Sequence, residues 1–156
     1  MISGYRIVKK KWADKAFDGE GARLFGGRWN SPGQRCVYLA ASESLAILEI
    51  LVHLNHSAIL SDYRLFKINF ARRDVLTLDE QDWPENWQES PAPEETALIG
   101  DQWLQTQASL ALSVPSTIVP REYNYLLNPS HPAFIKAEPN IEALPFRFDP
   151  RLLARG

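Results

Sequence analysis

GARLFGGRWNSPGQRCVYLAASESLAILEILVHL, residues 21–54, decides the architecture. Its second half opens with CVYLA (Cys36–Ala40), a short run of strand character, and passes straight into a segment where Leu45, Leu48 and Val52 recur at helical spacing. Ser42 or Ser44 supplies the N-cap of that helix. A strand feeding directly into a largely buried helix is therefore expected, and it places Tyr38 and Glu49 in one supersecondary unit. Glu49 is the anomaly of the helix, because Leu45–Leu48 precede it and Ile50–Val52 follow it without another charge. An ionised carboxylate away from water costs several kcal/mol unless charges or hydrogen bonds compensate it. Glu49 is thus functional, paired, or the mark of a narrow wet face, and the segment alone leaves these readings open.

The first half of the stretch is glycine-dense. Gly19, Gly21, Gly26, Gly27 and Gly33 read as an irregular loop from Asp18 to Gly33 that permits sharp turns and close backbone approach to a ligand. Within it Gly26-Gly27-Arg28-Trp29-Asn30 combines a fixed cation, an aromatic and an amide. Arginine presents a planar fork of donors to phosphate or carboxylate, and flexible backbone lets N–H groups approach the same anion. The bland alternative is a β-turn with a solvated Arg28 and a core Trp29.

Outward from this stretch, Tyr5–Val8 and Tyr63–Phe70 read as strands, with Val75–Leu78 a further candidate. The chain from Asp79 to Glu95 is acidic and rich in Pro and Trp, and it reads as a loop excursion inside one domain. Thr96–Gln107 has helical character, and Leu110–Val119 returns to strand chemistry around Pro115.

At 156 residues the chain is the size of one domain with a substantial core. The single cysteine, Cys36, excludes an internal disulfide framework and reads as a small core residue, which fits a reducing cytoplasm. His53, His56 and His131 show no metal-ligand pattern with it, and no metal is expected. No apolar run has signal-peptide or membrane-spanning length. A net charge of -2 from well-mixed residues removes the footprint of a general nucleic-acid binder, and the Lys9-Lys10-Lys11 run reads as a solvated strand end.

Ser116 follows Pro115 in an apolar segment, without the histidine spacing of a triad or a GxSxG elbow. It is better placed as a hydrogen-bonding residue than as an attacking one. His131, in the turn-rich Asn128–Pro132 string, reads as a capping residue. Arg28, Tyr38, Glu49 and Ser116 together supply a cation, an aromatic platform, an anion and a hydroxyl. That set suits a dinucleotide, with Arg28 on pyrophosphate, Tyr38 stacked on a flat ring, and Glu49 against the positive charge that develops as a glycosidic bond breaks.

The Gly21–Leu54 stretch, VPSTIVP (114–120), NYLLNPSHP (124–132) and FRFDPRLL (146–153) occur in the order and spacing of the RES domain, which the chain resembles over nearly its whole length. The resemblance implies one RES domain over 1–156, an α+β fold with a mixed, split β-sheet flanked by helices, similar to the ADP-ribosyltransferase fold. It implies a toxin of a bacterial toxin-antitoxin pair that consumes NAD+. The family's arginine, glutamate and serine fall at Arg28, Glu49 and Ser116, with Ser113 the runner-up for the serine. Ser113 also stands where many relatives carry a basic residue, which puts a supporting charge there in doubt. By resemblance Arg28, Arg6, Trp29, Tyr38 and Asn124 bind the cofactor and Glu49 stabilises the ribosyl cation. The implied partner is an Xre-type helix-turn-helix antitoxin that covers the pocket and contacts DNA, in a homodimer or larger complex. Two competing readings are transfer of ADP-ribose to a protein, and a non-catalytic module in which Arg28 and Glu49 form an ion pair while Trp83 and Trp87 contact a partner.

Overall fold

The computed structural model describes residues 1–54 and 62–152, so His56 and Leu153 lie outside the described residues. The strands are β1 (Ile2–Lys9), β2 (Val37–Ala40), β3 (Tyr63–Phe70), β4 (Val75–Thr77), β5 (Ala111–Pro115), β6 (Tyr123–Leu127) and β7 (Glu142–Leu144). Four α-helices are described, α1 (Glu20–Phe25), α2 (Glu43–Leu51), α3 (Glu94–Thr106) and α4 (Phe134–Ala137). The strands form one mixed sheet in the order β4-β5-β6-β2-β1-β3-β7, antiparallel throughout except for the parallel β4–β5 pair.

The middle of this sheet is its narrowest join. β1 runs beside β3 from Ile2 opposite Phe70 to Lys9 opposite Tyr63, whereas β1 and β2 share the single pair Tyr5 opposite Ala40. The expected split is this seam within a continuous sheet. Arg6 reinforces it: Nε donates to Ala16 O at 2.7 Å and Nη1 to Tyr38 O at 3.1 Å, tying β1 to β2 beside their one ladder pair.

Alternation along the strands sends apolar side chains to both faces. On one face Val37, Leu39, Ile68, Phe70, Ala111 and Leu127 pack with Phe134 and Ala137 of α4. The other face carries two separate clusters. Trp29, Cys36, Leu112, Val114 and Leu126 pack with Trp103 and Leu104 of α3 and with Trp87, while Ile7, Ala40, Tyr63 and Leu65 pack with Leu45 and Ala46 of α2. The two helices therefore cover different parts of that face, α3 over the β5–β6 side and α2 against both β1 and β2.

Most elements lie where the sequence places them, with ends shifted by a few residues. Ser42 is the N-cap of α2, its hydroxyl accepting from Leu45 N at 3.1 Å. α2 is less buried than its apolar run suggests: Leu45 and Ala46 are buried, whereas Leu48 and Val52 are exposed. The glycine-dense stretch is not wholly irregular, since Glu20–Phe25 forms α1 and stops at Gly26, whose φ of 71° favours glycine. β6, β7 and α4 are additional elements that the sequence pattern did not announce, and the strand expected over 110–119 ends at Pro115. Lys10 and Lys11 lie in an exposed 3-10 turn after β1, and His131 Nδ1 accepts from Ala133 N at 3.0 Å as a local cap.

α3 also fixes the loop that carries Arg28. Thr96 Oγ1 donates to Arg28 O at 2.6 Å, Asp101 Oδ1 accepts from Ser31 N at 2.8 Å, and Gly100 between them lies directly against the Trp29 carbonyl. A Cβ at Gly100 would overlap that backbone oxygen, which neither the helix nor the bonded loop can move away. Gly100→Ala is expected to cost about 3 kcal/mol or more by overpacking, a fall in Tm of about 10 °C in a chain of this size, checked by thermal unfolding.

Candidate active site

A cavity of about 950 Å³ opens over the seam, between the two clusters of that face. This is the size of a small-molecule site. Arg6 and Tyr38 contribute from the central strands, Arg28 from the loop clamped by α3, Glu49 from α2 and Asn124 from β6. Gln88, Ser90, Pro91 and Ala92, from the acidic Pro/Trp segment, close another side.

Glu49 is held by two donors from the opposite half of the sheet. Its Oε2 accepts from Ser116 Oγ at 2.8 Å and from Asn124 Nδ2 at 2.6 Å. Its Oε1 makes no bond among the described residues. Ser116 is fully buried and stands behind the carboxylate: its hydroxyl donates to Glu49 and accepts from Ile118 N and Val119 N, each at 3.1 Å. A hydroxyl with its one proton committed to a carboxylate positions that carboxylate and does not attack. Ser113, the other serine considered, shares the strand face of Ala111 rather than that of Leu112 and Val114, and the bonds to Glu49 among the described residues come from Ser116 and Asn124 instead.

Asn124 Oδ1 is the orphan of the site. It is buried and has no hydrogen-bond partner among the described residues. A buried acceptor without a donor costs about 1–3 kcal/mol, a cost borne here by the amide that holds Glu49 through its Nδ2.

Arg28 Nη1 donates to Trp87 O at 2.9 Å and Glu89 O at 2.7 Å, which aims the guanidinium and leaves Nε and Nη2 without a bond among the described residues. Burial lowers its pKa, opposed chiefly by the nearby Glu49 carboxylate, and an arginine remains cationic under such a shift. No ion pair joins Arg28 to Glu49 among the described residues. The contact behind the non-catalytic reading is thus missing. Its proposed interface aromatics are also spent on packing: Trp87 is buried, and Trp83 stacks on it at a centroid distance of 5.1 Å and donates Nε1 to Leu78 O.

Tyr38 turns its ring to the cavity and locks its hydroxyl. The OH donates to Asn30 Oδ1 and accepts from Trp29 N at 3.1 Å, while Asn30 Nδ2 donates to Ala22 O, Ser31 O and Gln34 O. Burial raises the phenol pKa well above its usual value, so the ring is a neutral platform. Trp29, expected to touch the cofactor, reaches the cavity wall but is only 4% exposed and belongs to the core cluster under α3. Arg6, expected on phosphate, borders the cavity with Nε and Nη1 already bound to backbone carbonyls. Burial lowers its pKa against the raising effects of Cys36 and Asp18. Asn30, Thr96 and Asp101 act on the site from behind. Their roles were hidden because Thr96 and Asp101 work by bonding backbone and Asn30 by joining the Tyr38 hydroxyl to backbone carbonyls, relations that sequence spacing does not display.

Fold and cleft together define an α+β domain built around one fixed carboxylate, distinct from a paired-acid glycosidase or a nucleophilic triad. The RES domain family model matches residues 4–149. Toxin Res of Yersinia enterocolitica serotype O:8 is 47% identical over 148 residues, covering 95% of this chain and 97% of its own. The Prs ADP-ribosylating toxin of a Sphingobium species is 39% identical over 144 residues, 88% of this chain and 87% of that one. In three dimensions the M. tuberculosis MbcT-MbcA toxin-antitoxin complex matches with a TM-score of 0.73 at 20% identity, covering 97% of this chain and 86% of that chain. The chain belongs to the RES domain family, and its kinship is with the toxins of that family.

Two outcomes follow from the geometry. Ser116→Ala leaves the part-buried N–H groups of Ile118 and Val119 without their acceptor and releases one hold on Glu49; a loss of about 1–3 kcal/mol in denaturant unfolding is expected. Cys36 is 2% exposed, and burial pushes its thiol from 9.0 to about 12. Because the folded value lies above the unfolded one, this contribution to stability is whole below pH 9.0 and is lost progressively as pH rises towards about 12. Iodoacetamide at pH 8 should leave Cys36 unmodified in folded protein and alkylate it in urea, read by mass spectrometry.

Proposed function

We propose that this protein is a toxin that depletes NAD+ by cleaving the bond between nicotinamide and ribose. The observation that carries the reading is the Glu49 carboxylate, pinned by Ser116 and Asn124 at the wall of a cavity that also holds Arg28 and the Tyr38 ring. As the glycosidic bond breaks, its electron pair passes to the pyridinium nitrogen and nicotinamide departs neutral, needing no proton. Positive charge then gathers at C1″ and the ring oxygen of the ribose. A carboxylate about 4 Å away at an effective dielectric of about 20 supplies roughly 4 kcal/mol against that charge, about a thousandfold in rate. Water or phosphate adds at C1″ and releases a proton.

The remaining residues divide the substrate between them. Arg28 offers Nε and Nη2 to the pyrophosphate, Arg6 adds positive potential from the seam, Tyr38 stacks on the nicotinamide, and Trp29 supports the wall. No metal is required, since the leaving group already carries the charge that a Lewis acid would otherwise induce. The chemistry consumes a soluble nucleotide and fits action in the cytoplasm. Among the described residues no helix is long and apolar enough to cross a membrane.

A second acceptor is favoured by one finding, the relative whose name is Prs ADP-ribosylating toxin. The same cleft would then pass ADP-ribose to a protein side chain. An antitoxin partner is supported by the MbcT-MbcA complex, and a segment seated over the cavity mouth would cover the exposed Phe25 and Val52 on its rim. The Xre-type DNA-binding half of that partner follows from the family resemblance.

Glu49→Gln tests the central claim, because the amide oxygen can keep accepting from Ser116 and Asn124 while the charge is lost. Nicotinamide release from NAD+ is expected to fall about 100- to 1,000-fold with Tm within a few degrees of wild type. Release unchanged by the substitution would end the catalytic role of Glu49. Free ADP-ribose, ADP-ribose 1″-phosphate or a labelled protein among the products names the acceptor.

A further inference from the structure

We infer that Phe25 is a substrate-binding residue that stacks on the adenine of the dinucleotide, beyond the pyrophosphate held by Arg28. The inference rests on the NAD+ reading above and gives a place to the half of the substrate that is not cleaved. Residues 25–29 line the cavity as one unbroken stretch, so Phe25 and Arg28 belong to the same wall. Phe25 is 83% exposed, and a large aromatic left open in a cavity wall is free to receive a ligand. It is the last residue of α1, and the backbone around it is held: Gly26 N donates to Ala22 O at 2.8 Å and Gly33 N to Arg23 O at 2.7 Å. The ring therefore stands on a fixed helix end rather than on a slack loop.

A dinucleotide brings two flat rings, and Tyr38 serves only one of them. Of the other aromatics in the wall, Trp29 is 4% exposed within the core, and the Tyr5 ring carries the Lys67 ammonium at 6.0 Å from its centroid. Phe25 makes no ring contact among the described residues, so its face is uncommitted. Arg28 spends Nη1 on the Trp87 and Glu89 carbonyls and keeps Nε and Nη2 for a diphosphate. Three residues of chain reach at most about 10 Å, the scale of one ribose with its base, so a diphosphate on Arg28 leaves its base within reach of Phe25. Adenine is uncharged and offers a π face, which is what a phenyl ring without polar atoms can recognise.

Calorimetric titration with ADP and with inorganic pyrophosphate tests the platform without needing turnover. Phe25→Leu keeps an apolar side chain and removes the π face; it should bind ADP about tenfold more weakly than wild type and pyrophosphate as wild type does. Phe25→Tyr restores the face and should bind ADP within about twofold of wild type. Neither substitution at so exposed a position should unfold the protein. ADP binding undiminished in Phe25→Leu overturns the inference and leaves the ring to a protein partner. An equal loss for ADP and pyrophosphate overturns it too, as does a Phe25→Tyr protein that loses as much as Phe25→Leu. The substrate reading fails separately: wild type that binds no ADP yet releases nicotinamide from NAD+ removes only the platform, whereas wild type that does neither removes both claims.

Discussion

The carboxylate of Glu49 joins two halves of a sheet that the backbone barely joins. α2 packs through Leu45 and Ala46 on Ile7 of β1, Ala40 of β2 and Leu65 of β3, while Ser116 follows β5 and Asn124 lies on β6. Between them the ladder contributes one pair, Tyr5 opposite Ala40. Hydrogen bonds to a charged group are worth roughly twice those between neutral groups, so two of them across a seam resist opening more than their number suggests. The cost is a carboxylate partly withdrawn from water, and the cavity is where that carboxylate remains accessible. Sheet continuity and site geometry are therefore one arrangement: a wider β1–β2 ladder would close the gap through which the site is reached.

Arg28 is fixed from a different direction by the same logic. The 27–31 turn is bonded to Tyr38 through Asn30 and Trp29, and α3 takes the Arg28 carbonyl through Thr96, the Ser31 amide through Asp101 and the Trp29 carbonyl against Gly100. The Trp87 and Glu89 carbonyls then receive the guanidinium itself. Each of these partners is a backbone atom or contacts one, so the cation is held without spending a carboxylate on it. An Arg28 paired directly to Glu49 would cancel the two charges that the cavity needs apart.

Legibility in the sequence followed the range of the interaction. The Ser42 cap, the apolar spacing of α2 and the alternation of Tyr63–Phe70 are local, and they placed β2, α2 and β3 within a residue or two. Glu49 was conspicuous because a charge interrupts an apolar run. By contrast, β6 reads as NYLLNPSHP with turn residues at its end, and its strand character comes from pairing with both β2 and β5, a tertiary effect that overrides weak local signals. Leu48 and Val52 looked buried by period but are exposed among the described residues, Val52 lining the cavity. Ser116 was read as hydrogen-bonding from the lack of a triad, although its partner lay 67 residues away and only the fold could reveal it.

The acidic Pro/Trp segment from Asp79 to Glu95 shows why composition alone misleads. Five prolines and tryptophans in quick succession suggest a solvated linker or an exposed interface, yet Trp83 and Trp87 pack into the cluster beneath α3 and the segment's carbonyls aim Arg28. Its acidic side chains stay exposed, which lets the backbone approach the guanidinium while the charges remain in water. Carbonyl dipoles orient a cation without neutralising it, so the positive potential of the site survives for an anionic ligand. The segment is long because it must leave β4, bury two indoles and return over the cavity before α3 begins. That path makes the loop a wall of the cavity.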